Sequence, residues 1–380
     1  MYKRLVVVSD TALYKQNNQV FGFAAVVKEL EFLQHDFEEI IWIGANRPEL
    51  KDNGTLIQIK APNIKTILIP KMGGKSAKEV IRIFLLYPYL YCLAFKYIYK
   101  ADVIHTRLPS HPAFIAVIIS FLFPKKIWWH KFAGSWEPTT LPFFYKVQRS
   151  LLLKAKHSKV AINGFWKDQP AHCLSFENPC LYDIDLKVGQ ETSQTKSFDS
   201  PFSFVFIGRL DNAKGVDKII EALSNTPTDK IKTVHFIGDS PSKTLYEQQA
   251  SFLGSKVTFH GFLSTEKIHE LLTESDFLVL PSKSEGFPKV IAEAACYGVI
   301  PITSDVGSIA HYINQSNGFV WQINGNKTFE EVFSEAINSS STQLKEKSIR
   351  ITNVAKLFTF ENYKNKLEKW VFSDTPQPLV

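Results

Sequence analysis

Residues 281–305 read PSKSEGFPKVIAEAACYGVIPITSD and place Glu285 and Glu293 between two apolar runs. Proline suits the first position of a helix, and glycine suits its left-handed stop. Pro288 and Gly298 therefore predict a helix, with Glu285 in the loop before it and Glu293 in its second turn. Carboxylates accept hydrogen bonds from hydroxyls, which sugars and riboses offer. Two solvated glutamates would satisfy the same spacing. A second stretch, FVFIGRLDNAKGVDKII, sets Arg209 and Lys214 between an apolar run and a helical pattern. Arg brings a planar fork and Lys a point charge, a pair suited to a diphosphate. The free N–H groups and positive end of the following helix favour the same anion. A basic loop by itself is more often only solvated.

These loops need strands to hold them. RLVVVS, EEIIWIGA, TILIP, ADVIHT, KKIWWHK and KVAING read as strands in the first half. FSFVFIG, KTVHFIG, KVTFHG, DFLVLP and VIPITS follow in the second, with helical patterns between. That alternation predicts two doubly wound α/β domains. The expected organisation is an N-terminal domain over 1–186, a polar linker over 187–201, a second domain over 202–355, and a C-terminal helix with a loose tail over 356–380. Open α/β sheets bind ligands at the carboxyl ends of their strands, where both motifs lie.

A chain of 380 residues, 45% hydrophobic and 21% charged, has the composition of globular domains. The net charge of +7 is uneven: up to Leu186 there are 24 Lys and Arg against 15 Asp and Glu. A basic first half suggests an anionic partner, whether lipid headgroup, phosphorylated acceptor or nucleic acid. No recognition motif supports nucleic acid. The four cysteines lack CxxC spacing, and the apolar run in MYKRLVVVSD is too short for a secretory signal, so a cytoplasmic protein is expected. The stretch EVIRIFLLYPYLYCLAFKYIYK is interrupted by Arg82, Pro88 and Lys96. It reads either as a core helix or as an amphipathic helix lying on a membrane.

Taken together, residues 203–325 resemble the donor-binding domain of the family 4 (group 1) retaining glycosyltransferases. Gly208-Arg209-Leu210 with Lys214-Gly215 matches the family's GRL…KG. Pro281-Ser282, Glu285-Gly286-Phe287, Glu293-Ala294, Gly298 and Pro301 match its second motif, and HFIGDSP resembles its GDGP loop, with Ser240 in place of a glycine. The resemblance implies the GT-B fold, two Rossmann-like domains facing across a cleft. It implies that Glu285 and the Gly286–Phe287 amides, beside Pro288, hold the donor sugar. Glu293 then takes the ribose, and Arg209 and Lys214 the diphosphate. It implies sugar transfer with retention of configuration and without metal or other cofactor, from a nucleotide-sugar to a glycan or lipid-linked acceptor of bacterial surface-glycan synthesis. Work at the cytosolic face of the inner membrane, in peripheral contact with anionic lipid, fits that setting. The DID at Asp183–Asp185 is assigned no metal, because it follows ENP in a connecting segment.

In the first half the family carries a glycine pair after strand one, where this chain offers only Gly22. His130, in WWHKFAGSWEP, is the candidate near the reacting carbon, with Gly134 allowing close approach. His105 and Arg107 are weaker candidates for acceptor contacts. A nucleotide-sugar epimerase or hydrolase and a non-catalytic partner subunit are rivals on the same fold. An NAD oxidoreductase is disfavoured, since no GxGxxG follows the first strand.

Overall fold

A computed structural model of the chain describes residues 2–50, 55–74, 76–137 and 141–373. Lys75 and the end of the expected loose tail lie outside them. The chain folds as two compact units, Met1–Phe176 with Lys364–Val380, and Glu177–Tyr363.

Unit 1 is built on β1 (Tyr2–Gln16), β2 (Gln19–Phe23), β3 (Phe37–Asn46), β4 (Leu56–Gln58), β5 (Ile64–Ile69), β6 (Val103–Leu108), β7 (Ile127–Phe132), β8 (Lys159–Ile162) and β9 (Cys173–Ser175). Its parallel strands run in the order β5-β3-β1-β6-β7-β8-β9. Helices α1 (Ala24–Phe32), α2 (Ala77–Tyr99), α3 (His111–Ser120) and α4 (Phe143–Lys154) connect them. The segment read as a loop after strand one is instead a hairpin. β1 runs on to Gln16, Asn17 and Asn18 turn the chain at positive φ, and β2 returns antiparallel. Two residues with φ > 0 are what a two-residue hairpin turn demands, and Asn tolerates that region.

Unit 2 holds α5 (Asp183–Thr195), β10 (Phe202–Ile207), α6 (Val216–Ser224), β11 (Ile231–Ile237), α7 (Lys243–Gln249), β12 (Val257–Gly261), α8 (Thr265–Glu274) and β13 (Phe277–Leu280). Then come α9 (Lys289–Cys296), β14 (Ile300–Ser304), β15 (Phe319–Trp321), α10 (Phe329–Ile337) and α11 (Ser341–Ala355). The sheet is parallel, in the order β12-β11-β10-β13-β14-β15. In both sheets the order reverses beside the first strand, between β1 and β6 and between β10 and β13. Such a reversal opens a crevice at the strands' carboxyl ends.

One expectation changes here. Helix α5 covers most of the stretch read as a linker, and the division between units falls at Phe176–Glu177, ahead of it. The long apolar stretch forms one helix, α2, continuous through Pro88 and opened by a Ser76–Glu79 capping box. Its inner face packs Ile83, Leu90, Ala94 and Ile98 into the core. Its outer face is also apolar, with Phe84 64% and Leu85 75% exposed beside Val80, Ile81 and Tyr89. By length and composition Lys78–Tyr99 could cross a membrane, yet one face is committed to the core.

Candidate active site

The loop 208–215 leaves β10 at the reversal point and enters α6. Gly215 takes φ 76° at the helix N-cap, and a Cβ there would lie 2.4 Å from the Pro281 carbonyl oxygen. Glycine thus lets this loop lie against the one that follows β13. Asp211 organises it, bonding Arg209 Nε and accepting the Lys214 N–H at 3.0 Å. Burial works to raise the Asp211 carboxyl, but the bonds from Arg209 and Lys214 outweigh it and hold it below the usual range. Arg209 itself is 65% exposed.

The loop 281–288 leaves β13, the neighbouring strand. The Lys283 N–H donates to the Ala213 carbonyl at 2.9 Å, stitching the two loops together. Lys214 Nζ reaches across to Glu285 Oε1, so one cation and one carboxylate from separate motifs meet as an ion pair. The N–H groups of Glu285, Gly286 and Phe287 donate to no acceptor among the described residues. Beyond β14, Gly307 at φ 60° packs so closely that a Cβ would lie 2.1 Å from the Glu285 carbonyl oxygen. Ser308 then donates its N–H (2.9 Å) and Oγ (3.0 Å) to the Gly286 carbonyl. Asp211, Gly307 and Ser308 were not singled out from sequence. An aspartate inside the GRL…KG loop and a glycine just after a strand were their signals.

Pro288 is the N-cap of α9, with ψ 118°, and not its first helical residue. The Phe287 ring is buried, stacked on Phe358 at 4.5 Å and edge-on to Tyr312 at 4.8 Å, so only its backbone is open to a ligand. Glu293 sits in the second turn of α9, as expected, and is half-buried. Its field adds to burial in raising the thiols of Cys180 and Cys296, the latter to about 12. Gly298 ends the helix at φ 67°. Asp183 and Asp185 occupy the first turn of α5, where Asp185 Oδ2 caps the Tyr182 N–H at 2.7 Å.

Unit 1 departs further from expectation. His130 lies within β7, fully buried, its Nδ1 hydrogen-bonded to Thr106 Oγ1 at 2.7 Å. Burial first, then His157 and His172, push its pKa down to about 3. Alternation along the strand explains the error: His130 and Lys131 point to opposite faces, and the chain emerges from the core only at Ala133 and Gly134. Gly22 is a packing glycine in β2, where a Cβ would strike the Trp42 ring at 2.8 Å. His105 is buried too, stacked on Trp129 with centroids 3.7 Å apart. Arg107 bonds Glu29 at 2.9 Å.

Residues 189–355 match the family model of glycosyl transferases group 1. The putative teichuronic acid biosynthesis glycosyltransferase TuaC of Bacillus subtilis is 35% identical over 106 residues, 28% of this chain and 25% of TuaC. The lipopolysaccharide glucosyltransferase WaaG of Escherichia coli is 32% identical over 112 residues, 29% of this chain and 30% of WaaG. The sequence matches thus span less than a third of either relative. Structural likeness extends over nearly the whole chain. Anabaena HepE in complex with UDP and glucose superposes with a TM-score of 0.65 at 16% identity, over 98% of this chain and 100% of HepE. The WaaG crystal structure gives 0.62 at 15%, over 96% and 99%. The chain therefore has the GT-B fold.

Proposed function

We propose that this protein transfers a sugar from a nucleotide-sugar to a glycan or lipid-linked acceptor of bacterial surface-glycan synthesis, with retention of configuration. The observation that supports it most is the meeting of Lys214 and Glu285 at the reversal point of the unit 2 sheet, beside three N–H groups that find no acceptor among the described residues. Glu285 and these amides hold the sugar, Arg209 and Lys214 the diphosphate, and Glu293 the ribose hydroxyls. Charge developing on the departing diphosphate is stabilised by these fixed cations and the positive end of the following helix, so the reaction needs no metal. His130, fully buried within β7, is assigned no part in the transfer. TuaC and WaaG, named for teichuronic acid and lipopolysaccharide, support a surface-glycan acceptor.

The test is a thermal-shift screen of the full chain against nucleotide-sugars, followed by turnover of the best donor with lipid-linked and soluble acceptors. One donor should stabilise the protein and be consumed only when acceptor is present, at the same rate in EDTA. Consumption without acceptor would favour the epimerase or hydrolase reading. Loss of rate in EDTA, restored by Mg²⁺ or Mn²⁺, would contradict the metal-free mechanism.

The outer face of α2 supports peripheral contact with an anionic bilayer at the cytosolic face of the inner membrane. Lys78 and Arg82 are exposed beside Ile81, Phe84 and Leu85. Near an anionic leaflet a basic residue contributes about 1 kcal/mol, and apolar side chains settle at the interface. Lys71 is held by Glu49 at 3.0 Å. The informative changes are therefore Lys78→Glu with Arg82→Glu, and Phe84→Ser with Leu85→Ser. Liposomes rich in phosphatidylglycerol should sediment the native protein in low salt and neither variant. A native protein left in the supernatant at every lipid composition refutes the contact.

A further inference from the structure

Glu29 occupies the buried face of α1 with Val26, Val27 and Leu30. A carboxylate taken out of water there demands partners, and two cations supply them. Arg107 Nη1 lies 2.9 Å and Lys131 Nζ 2.8 Å from its two oxygens. Arg107 and Lys131 are register partners on β6 and β7, so their side chains leave the same face side by side. His105 Nε2 also stands 3.8 Å from Glu29. Burial, then the charge of Arg107, hold that ring well below the usual histidine range, and it adds no charge.

Arg107 leaves one edge open. Both its protein bonds, to Glu29 and to His105, come from Nη1, while Nε and Nη2 donate to no acceptor among the described residues. Its side chain keeps 14% of its surface exposed. It stands at the carboxyl end of β6, beside β1, where the unit 1 sheet reverses order. Helix α3 starts four residues on, adding its positive end on that side.

We infer that Arg107, supported by Lys131 over Glu29, forms an anion site that takes a phosphate or carboxylate of the acceptor through the open edge of the guanidinium. Such a fork accepts two oxygens of one anionic group in a plane. The inference rests on the proposed sugar transfer and on Arg107 as a candidate for acceptor contacts, but its test needs no transfer reaction.

The full chain, with the nucleoside diphosphate of the donor found by thermal shift present to occupy Arg209 and Lys214, is titrated calorimetrically with methyl phosphate, methyl glucuronide and methyl glucoside. At least one charged probe should bind, and the neutral glucoside should not. The tighter of the two tells whether phosphate or carboxylate is preferred. Arg107→Gln, which keeps the Glu29–Lys131 pair, should weaken the charged probe roughly tenfold or more, and Arg107→Lys less. Lys131→Met, which keeps the Glu29–Arg107 pair, serves should Arg107→Gln fail to fold, and should weaken it as well. Unchanged affinity in a folded variant, or charged probes binding no better than the glucoside, overturns the site. Failure of every nucleoside diphosphate to bind counts against the reading of unit 2, while the Arg107 variants still decide whether the probe binds in unit 1.

Discussion

Alanine at Lys214 is expected to lower transfer about 10²–10³-fold, the cost of removing one fixed donor from a developing negative charge. Lys214 lies in a loop with its side chain a quarter exposed, so the variant should fold. Two effects combine in it. The diphosphate loses a cation, and Glu285, only 10% exposed, loses its ion-pair partner. Arg209→Ala should lose rate without the second effect, because its partner is Asp211. The measurement is kcat/KM for the donor beside the melting temperature. A folded Lys214→Ala protein with near-native kcat/KM would remove the diphosphate assignment.

The two glutamates should fail in different ways. Glu285→Gln should reduce kcat roughly tenfold or more, because bonds to the sugar tighten as the glycosidic bond breaks. Glu293→Gln should leave kcat nearly unchanged and weaken both donor and free nucleotide. A hydrogen bond to a charged group contributes about 1.5–3 kcal/mol, which corresponds to roughly 10–100-fold in affinity. Steady-state kinetics with direct titration of UDP separates the two. Equal losses of nucleotide affinity in both variants would show that sugar and ribose are not divided between them.

Unit 2 was legible because its chemistry sits where apolar strands end. FSFVFIG and DFLVLP are β10 and β13, and the residues after each carry charges that nothing in a core would require. Pro288 was misplaced by one position, since proline's fixed φ suits an N-cap as readily as a first turn. Helix α5 was missed for a physical reason. Its buried face is Gly189 and Ser193, packed so tightly that a Cβ on Gly189 would lie 2.2 Å from the Cys296 carbonyl oxygen. Periodicity of large apolar residues cannot reveal a helix that docks through small ones. In unit 1 the histidine in WWHK drew attention from the lysine beside it, although strand alternation allows only one of them to share a face with Arg107. Glu29, an acid among the apolar positions of VVKEL, was the readable signal for the charged cluster.

The most direct measurement follows the anomeric proton of the product by NMR while free nucleoside diphosphate is counted in the same tube. Transfer with retention predicts one diphosphate per glycosidic bond formed, the donor's anomeric configuration in the product, and no release without acceptor. An inverted product, or diphosphate released at the same rate with acceptor absent, would contradict it.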